Sequence, residues 1–127
     1  MYSHNMVGTD DLDAAKTFYD AIFTAAGAEP GQIHPTKPRV TYSHKGGLFM
    51  VTKPVDGNPA TPANGATIGF QMDSPEQADA WHAAGVAAGG TACEDPPGVR
   101  DFDGMKLYLA YLRDPTGNKL CALHMLG

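Results

Sequence analysis

The chain has 127 residues, enough for one domain with a hydrophobic core, and its 43% hydrophobic and 18% charged residues are typical of a globular protein. The formal net charge is −5 and no basic cluster occurs, which argues against a nucleic-acid or anionic-membrane partner. No apolar run approaches the ~20 residues that a membrane helix needs, and the first residues lack the pattern of a signal peptide. We therefore expect a cytoplasmic protein. The two cysteines, Cys93 and Cys121, would suffice for a structural disulfide, but none is expected in that compartment.

The first predicted helix runs from about Leu12 to Ala26. Asp10 or Asp11 can cap it, because a short side-chain acceptor satisfies the free N–H groups of the first turn. Gly27 suits the left-handed conformation in which helices often end. The apolar stripe that repeats at helical spacing consists of Leu12, Ala15, Phe18, Tyr19, Ile22 and Ala26.

Strands are predicted after this helix. A short one is expected near Gln32 to Pro35, and the segments RVTYSH and GLFMVT favour a hairpin around Lys45-Gly46-Gly47. The following segment, KPVDGNPATPANG, is rich in helix and strand breakers and indicates a linker between two halves of the chain.

The second half begins with ATIGFQM, whose alternating apolar residues predict a half-buried strand. A helix follows, with Ser74 as its cap, Pro75 in its first position and Gln77 as the second half of a capping box. The helix is expected to end at Gly89-Gly90. The next segment, CEDPPGVRDFDG, is interpreted as an irregular loop, and KLYLAYL and NKLCALH as a hairpin across a type I turn at residues 114–117.

The two halves show the signs of an internal repeat. When Phe18 is placed on Trp81, Gly27 falls on Gly90 and the helix starts and ends coincide. The order of strand, acidic residue, helix, glycine and hairpin recurs in both halves. We therefore predict one α+β domain made of two βαβββ modules, whose sheets carry helices on one face and leave a concave face for a ligand. The module boundaries are about 1–57 and 66–127, with a linker at about 58–65.

Three segments in this order and spacing resemble the vicinal oxygen chelate superfamily, which includes lactoylglutathione lyases, bleomycin-resistance proteins and extradiol dioxygenases. The segments are HNMVGTDDLDAAKTFYDAIF, IGFQMDSPEQADAWHAAGVAAGG and AYLRDPTGNKLCAL. The chain is most similar to the poorly characterised, glyoxalase-like members with a PPGVR loop before the last hairpin. The resemblance implies the glyoxalase/bleomycin-resistance/dioxygenase fold, with two modules forming an incomplete-barrel cup, and it implies a homodimer.

The resemblance also assigns four metal-ligand positions on the concave face, where members that do chemistry carry mostly His and Glu. In this chain those positions hold His4, Phe49 or Met50, Thr67 and Cys121. A mononuclear catalytic site usually needs three protein ligands and an open position, so no metal or other cofactor is expected. Lactoylglutathione lyase activity by the family's mechanism is not expected either. The alternative is a metal-dependent lyase or dioxygenase with unusual ligands, using His4 and Cys121.

Single residues leave several interpretations open. Arg100 can bind a carboxylate or phosphate of a ligand, or it can pair with an aspartate of its own loop. Cys121 can be a nucleophile, a ligand or a small apolar filler. Tyr108 and Tyr111 fall on opposite faces of one strand, so at most one can point into the cup. The candidate ligand-binding residues are His4, Phe49, Thr67, Gln71, Arg100, Tyr108 and Cys121.

The favoured hypothesis is a small-molecule binding protein or a divergent enzyme on this fold, without the complete metal site. A third hypothesis, from another class, is a protein whose role lies in its interface with a partner. The sequence does not name the ligand.

Overall fold

A computed structural model describes residues 1–127, the whole chain. Two helices are present, α1 (Leu12–Ala25) and α2 (Pro75–Ala87). Neither helix is both long and apolar enough to cross a membrane. The strands are β1 (Asn5–Gly8), β2 (Gln32–Ile33), β3 (Arg39–His44), β4 (Gly47–Thr52), β5 (Ile68–Gln71), β6 (Thr91–Ala92), β7 (Gly98–Phe102), β8 (Met105–Arg113) and β9 (Lys119–Met125).

Each half of the chain forms one sheet. Sheet A has the order β1-β4-β3-β2, and sheet B has the order β5-β9-β8-β6, with β7 also paired to β8. The first strand of each half runs parallel to the last strand of that half, and all other pairs are antiparallel. The predicted α+β fold of two similar halves is confirmed, with one difference. The second half has four strands after its helix instead of three, because β6 and β7 both pair with β8.

Both helices begin directly after a predicted capping residue. Asp11 caps α1 by accepting a hydrogen bond from the Ala14 N–H at 3.0 Å. Ser74 caps α2 by accepting from the Gln77 N–H at 3.0 Å. The Gln77 side chain accepts in turn from the Asp73 N–H at 2.7 Å, one residue earlier than a capping box requires. These local contacts fix where both helices begin.

One core of 17 buried residues joins both helices with one face of each sheet. Phe18 and Trp81, the repeat partners, are both 0% exposed, as predicted. The helices lie close together at Gly85, where an added Cβ would be 2.3 Å from Leu112 Cδ1 and 3.0 Å from Ile22 Cγ2. A larger residue at this crossing would force the buried side chains of Leu112 and Ile22 to shift.

The turn at residues 114–117 forms as predicted and closes the last hairpin. The Gly117 N–H donates to the Asp114 carbonyl at 2.8 Å, and Gly117 has a φ of 105°. The Asp114 side chain is only 4% exposed. Its Oδ1 accepts from the backbone N–H groups of Thr116, Gly117 and Asn118 at 2.8–3.0 Å.

The same turn ties the two halves of the chain together. Asp114 Oδ2 accepts from the Tyr19 hydroxyl of α1 at 2.6 Å and from Asn118 Nδ2 at 2.9 Å. Asn118 Nδ2 also donates to the Gly8 carbonyl at the end of β1, at 3.1 Å. We call the set Tyr19, Asp114, Asn118 and Gly8 the Asp114 clamp. It fixes the last hairpin against the first strand and the first helix.

The interpretation of residues 94–104 as an irregular loop is wrong for 98–102, which form β7. The strand pairs with β8 across a two-residue turn at Asp103-Gly104, with φ values of 52° and 89°. Two successive left-handed residues match the right-handed twist of a hairpin, and Asp-Gly is a preferred pair for this turn. The hairpin places Arg100 opposite Leu107 on β8.

Candidate functional site

Sheet B has one face packed on the helices and one face turned away from them, which we call the open face. Tyr108, Ala110 and Leu112 of β8 pack with the main core, so the alternate residues of this strand point to the open face. There a second, small cluster consists of Leu107, Leu109 and Cys121, with Tyr111 and Leu123 packed against it. The open face therefore has an apolar floor.

Charged side chains border this floor. Lys119 of β9 forms an ion pair with Glu94, and its ammonium lies 5.1 Å from the centre of the Tyr111 ring. Tyr111 is the cross-strand partner of Cys121. Glu94 adopts a φ of 57°, a left-handed conformation that is uncommon outside glycine. The chain is thus turned sharply at the point where this carboxylate reaches β9.

Arg100 on β7 is the second cation of this region. Its Nη2 donates to the backbone carbonyls of Asp95 and Pro96, each at 3.1 Å. None of the three ion pairs in the chain includes Arg100, and Asp101 accepts instead from the Gly104 N–H. The interpretation that Arg100 pairs with an aspartate of its own segment is therefore wrong, and its positive charge has no carboxylate partner.

Burial keeps the thiol of the open face protonated. It is the main cause that raises the pKa of Cys121, and the hydrogen bond with Tyr111 and the positive charges of Lys119 and Arg100 counteract it only in part. Burial likewise raises the pKa of Tyr111, and the adjacent Cys121 adds to the shift. Because the thiolate is the nucleophilic form, Cys121 acts at neutral pH as a small apolar side chain rather than as a nucleophile.

The structure brings two of the seven candidate residues, Arg100 and Cys121, together on the open face. Tyr108 lies on the opposite side of β8, where its hydroxyl donates to Asp79 of α2 at 2.6 Å. Tyr111 is the tyrosine of this strand that reaches the open face. His4 and Thr67 are exposed and lie just before β1 and β5.

Phe49 lies elsewhere, and Gln71 reaches the open face only at its β5 edge, where it is the register partner of Leu123. Phe49 is in the main core, on the helix side of sheet A, so its neighbour Met50 occupies the outer face of β4. Both Phe49 and Gln71 line a separate cleft of about 260 Å³ between the two sheets. Of the two residues left open in the sequence, Phe49 and Met50, Met50 is therefore the one that faces outward.

The ion pair of the open face, Glu94 and Lys119, was missing from the sequence candidates. Lys119 precedes Cys121 by two positions on one strand, so the period-2 rule could have placed both on one face. Glu94 had no such signal, because its contact with Lys119 depends on how the chain turns after β6.

The residues present do not fit the family's metal site. No group of three or more His, Cys, Asp or Glu side chains lies close enough together to hold a metal ion. His4 is exposed and shares a 2.8 Å hydrogen bond with the neighbouring Ser3 hydroxyl. The raised pKa of Cys121 disfavours the thiolate that a metal ligand must supply.

Comparisons with known proteins agree with this architecture. The sequence model of the Glyoxalase/Bleomycin resistance protein/Dioxygenase superfamily matches residues 2–122. The crystal structure of a glyoxalase/bleomycin resistance protein from Albidiferax ferrireducens T118 is 56% identical over 98% of both chains, with a TM-score of 0.93. No curated protein matches.

More distant solved structures share the fold alone. A glyoxalase/bleomycin resistance protein/dioxygenase family enzyme from Burkholderia phytofirmans PsJN is 19% identical over 98% of both chains, with a TM-score of 0.73. A lactoylglutathione lyase from Agrobacterium tumefaciens is 20% identical, with a TM-score of 0.63, over 95% of this chain and 91% of that chain.

Proposed function

Because the chain belongs to the glyoxalase/bleomycin resistance protein/dioxygenase superfamily, we propose that it binds a small anionic molecule on the open face of sheet B. The molecule is held, or transformed, there without the superfamily's complete metal site. The observation that carries this proposal is Arg100, a cation on the open face with no carboxylate partner.

The charge balance of the open face supports an anionic ligand. Three cations, Arg100, Arg113 and Lys119, point to this face by strand register, and Glu94 forms an ion pair with one of them, Lys119, on a chain whose net charge is −5. A guanidinium presents a planar fork that matches a carboxylate or a phosphate with two parallel hydrogen bonds. Lys119 adds a point charge that Glu94 and the Tyr111 ring hold in place.

The remaining side chains position the ligand rather than attack it. Leu107, Leu109 and Leu123 give the apolar floor on which the body of a small molecule packs. The Tyr111 hydroxyl, whose pKa burial raises further, is neutral at physiological pH and can donate a hydrogen bond to a ligand oxygen. Cys121 fills the space beneath and remains protonated.

A homodimer is also part of the proposal. Large apolar side chains are exposed at one end of sheet B, and pairing with a second copy would cover them. These are Phe102 (51% exposed), Met105 (47%), Met125 (59%) and Leu126 (42%). Light scattering after size exclusion measures the mass directly, and a monomer at micromolar concentration would contradict this part of the proposal.

The binding test uses calorimetric titration with inorganic phosphate, malonate and benzoate as probes. At least one of these anions is expected to bind, and Arg100→Gln is expected to weaken it by about tenfold or more, since a hydrogen bond to a charged group contributes about 1.5–3 kcal/mol. The matched control is Lys106→Gln, which removes an exposed cation whose strand position points to the other face. Equal effects of both variants, or no binding of any probe, would contradict the proposal.

Metal analysis distinguishes the metal-free proposal from the alternative of a metal-dependent enzyme. Protein purified without chelator is analysed for Zn, Ni, Mn and Fe, in the original chain and in His4→Ala. A stoichiometric metal that disappears in His4→Ala would overturn the metal-free proposal in favour of a metal-dependent lyase or dioxygenase.

A further inference from the structure

A second concave feature lies between the two sheets, and neither Arg100 nor Lys119 lines it. It is the cleft of about 260 Å³, and residues of both halves line it, from β3 and β4 in the first half and from β5 and α2 in the second. An apolar cavity of about 150 Å³ is large enough to hold benzene. The cleft thus has room for one aromatic ring with a small substituent.

Aromatic rings dominate the wall of the cleft. Phe70 meets Phe23 and Phe49 edge to face, with ring centres 5.2 Å and 5.4 Å apart and interplanar angles of 80°. Trp81 lies next to Phe70, with ring centres 6.4 Å apart. All four rings line the cleft. Rings in such edge-to-face arrangements favour another flat aromatic body over an aliphatic one of the same size.

One polar atom in this wall has no partner. Trp81 is 0% exposed, and its indole Nε1–H makes no hydrogen bond within the protein. Buried donors are rarely left unpaired, because the loss of their water contacts is then uncompensated. Trp81 also lines the cleft, and an acceptor atom that a ligand brings to this N–H would supply the missing partner.

The charges near the cleft are already paired with each other. Lys45, in the turn between β3 and β4, lines the cleft and forms an ion pair with Asp73, which precedes α2. The other polar side chains of the lining, those of Asn5, His44 and Gln71 among them, include no carboxylate. The cleft therefore offers no unpaired charge to a charged ligand, and this distinguishes it from the open face of sheet B.

We propose that this cleft is a second binding site, which takes an uncharged single-ring aromatic molecule whose carbonyl oxygen accepts from the Trp81 indole N–H. The aromatic body packs among the four rings, and the carbonyl satisfies the unpaired donor. None of the side chains proposed to hold the anion lines this cleft, so either proposal can fail without the other.

The test observes the indole proton itself. Trp81 is the only tryptophan of the chain, so a ¹⁵N–¹H correlation spectrum contains a single indole Nε1–H signal. The probes are acetophenone and α-methylstyrene, which have nearly the same shape but differ in the carbonyl oxygen. Acetophenone is expected to move the indole proton downfield in a saturable titration and to bind about fivefold more tightly than α-methylstyrene, the difference expected for one hydrogen bond.

Two variants test whether the probes bind in the cleft and accept from the Trp81 N–H. Trp81→Phe keeps an aromatic ring but removes the N–H, and ligand-observed NMR is expected to show equal affinity for the two probes. Arg100→Gln, on the open face, is expected to leave acetophenone binding unchanged. If Trp81→Phe does not fold, the titration of the original chain still decides the matter.

Three outcomes would overturn the proposal. One is an indole signal that neither probe moves up to the solubility limit. Another is the same shift and affinity for both probes, which would remove the role of the carbonyl. The third is an indole signal that depends on protein concentration but not on the probes, since a second copy of the chain would then cover the cleft.

Discussion

Replacing Tyr19 by Phe removes one hydroxyl from the Asp114 clamp and leaves the ring in the core. The lost contact is a 2.6 Å hydrogen bond to a carboxylate that is 4% exposed. Hydrogen bonds to charged groups contribute about 1.5–3 kcal/mol, and Asp114 keeps its four other donors, so we expect a loss of about 2 kcal/mol in the free energy of unfolding. At roughly 4 °C per kcal/mol for a chain of this size, Tm falls by about 8 °C.

Tyr42→Phe is the matched control, because its hydroxyl also donates to an aspartate, Asp20, at 2.7 Å. The Asp20 side chain is 28% exposed, so water can replace the lost donor and the expected cost is at most about 1 kcal/mol. Urea unfolding followed by far-ultraviolet circular dichroism measures both variants. A loss for Tyr19→Phe no larger than that for Tyr42→Phe would refute the claim that burial makes the clamp strong.

Three further predictions concern caps, thiols and pH. Ser74→Ala removes the cap of α2 and is expected to lower the free energy of unfolding by about 1 kcal/mol, measured by the same urea titration. Iodoacetamide at pH 8 is expected to modify Cys93 well before Cys121, because the Cys121 thiol is buried and has a raised pKa. Mass spectrometry of the products measures both rates, and faster labelling of Cys121 would show that its thiol is activated. Burial, and secondarily Asp114, raises the pKa of Tyr19, so the folded state holds a proton that the unfolded state loses. Stability is then expected to fall as the pH rises above about 10, and to fall less steeply in Tyr19→Phe, whereas parallel pH profiles would contradict this linkage.

Local signals explain why the helices and the first hairpin could be predicted. Asp11 and Ser74 each cap a helix through atoms three residues away, so the sequence window contains the whole interaction. The β7–β8 hairpin had an equally local signal in Asp103-Gly104, but the prolines and glycine before it favoured a loop. The missed strand therefore reflects two conflicting local signals, and pairing with β8 decides between them.

The candidate site was harder to predict because it depends on faces and on distant contacts. A shift of one residue in aligning β4 exchanges Phe49 for Met50, and with it the core side for the outer side. The Glu94–Lys119 pair joins two segments that no pattern connects. Arg100 was recognised by its charge, but its lack of a carboxylate partner is visible only in three dimensions.

The Asp114 clamp also sets an order of events during synthesis. Its hydrogen bonds join residues 95 and 110 positions apart, Tyr19 to Asp114 and Gly8 to Asn118. Synthesis of the first half is complete at about residue 57. The helix α2, which packs against Phe18 and Ile22, is synthesised only later. During that interval the nascent chain exposes an apolar surface, so slow translation of the second half would lengthen its exposure to chaperones and to aggregation.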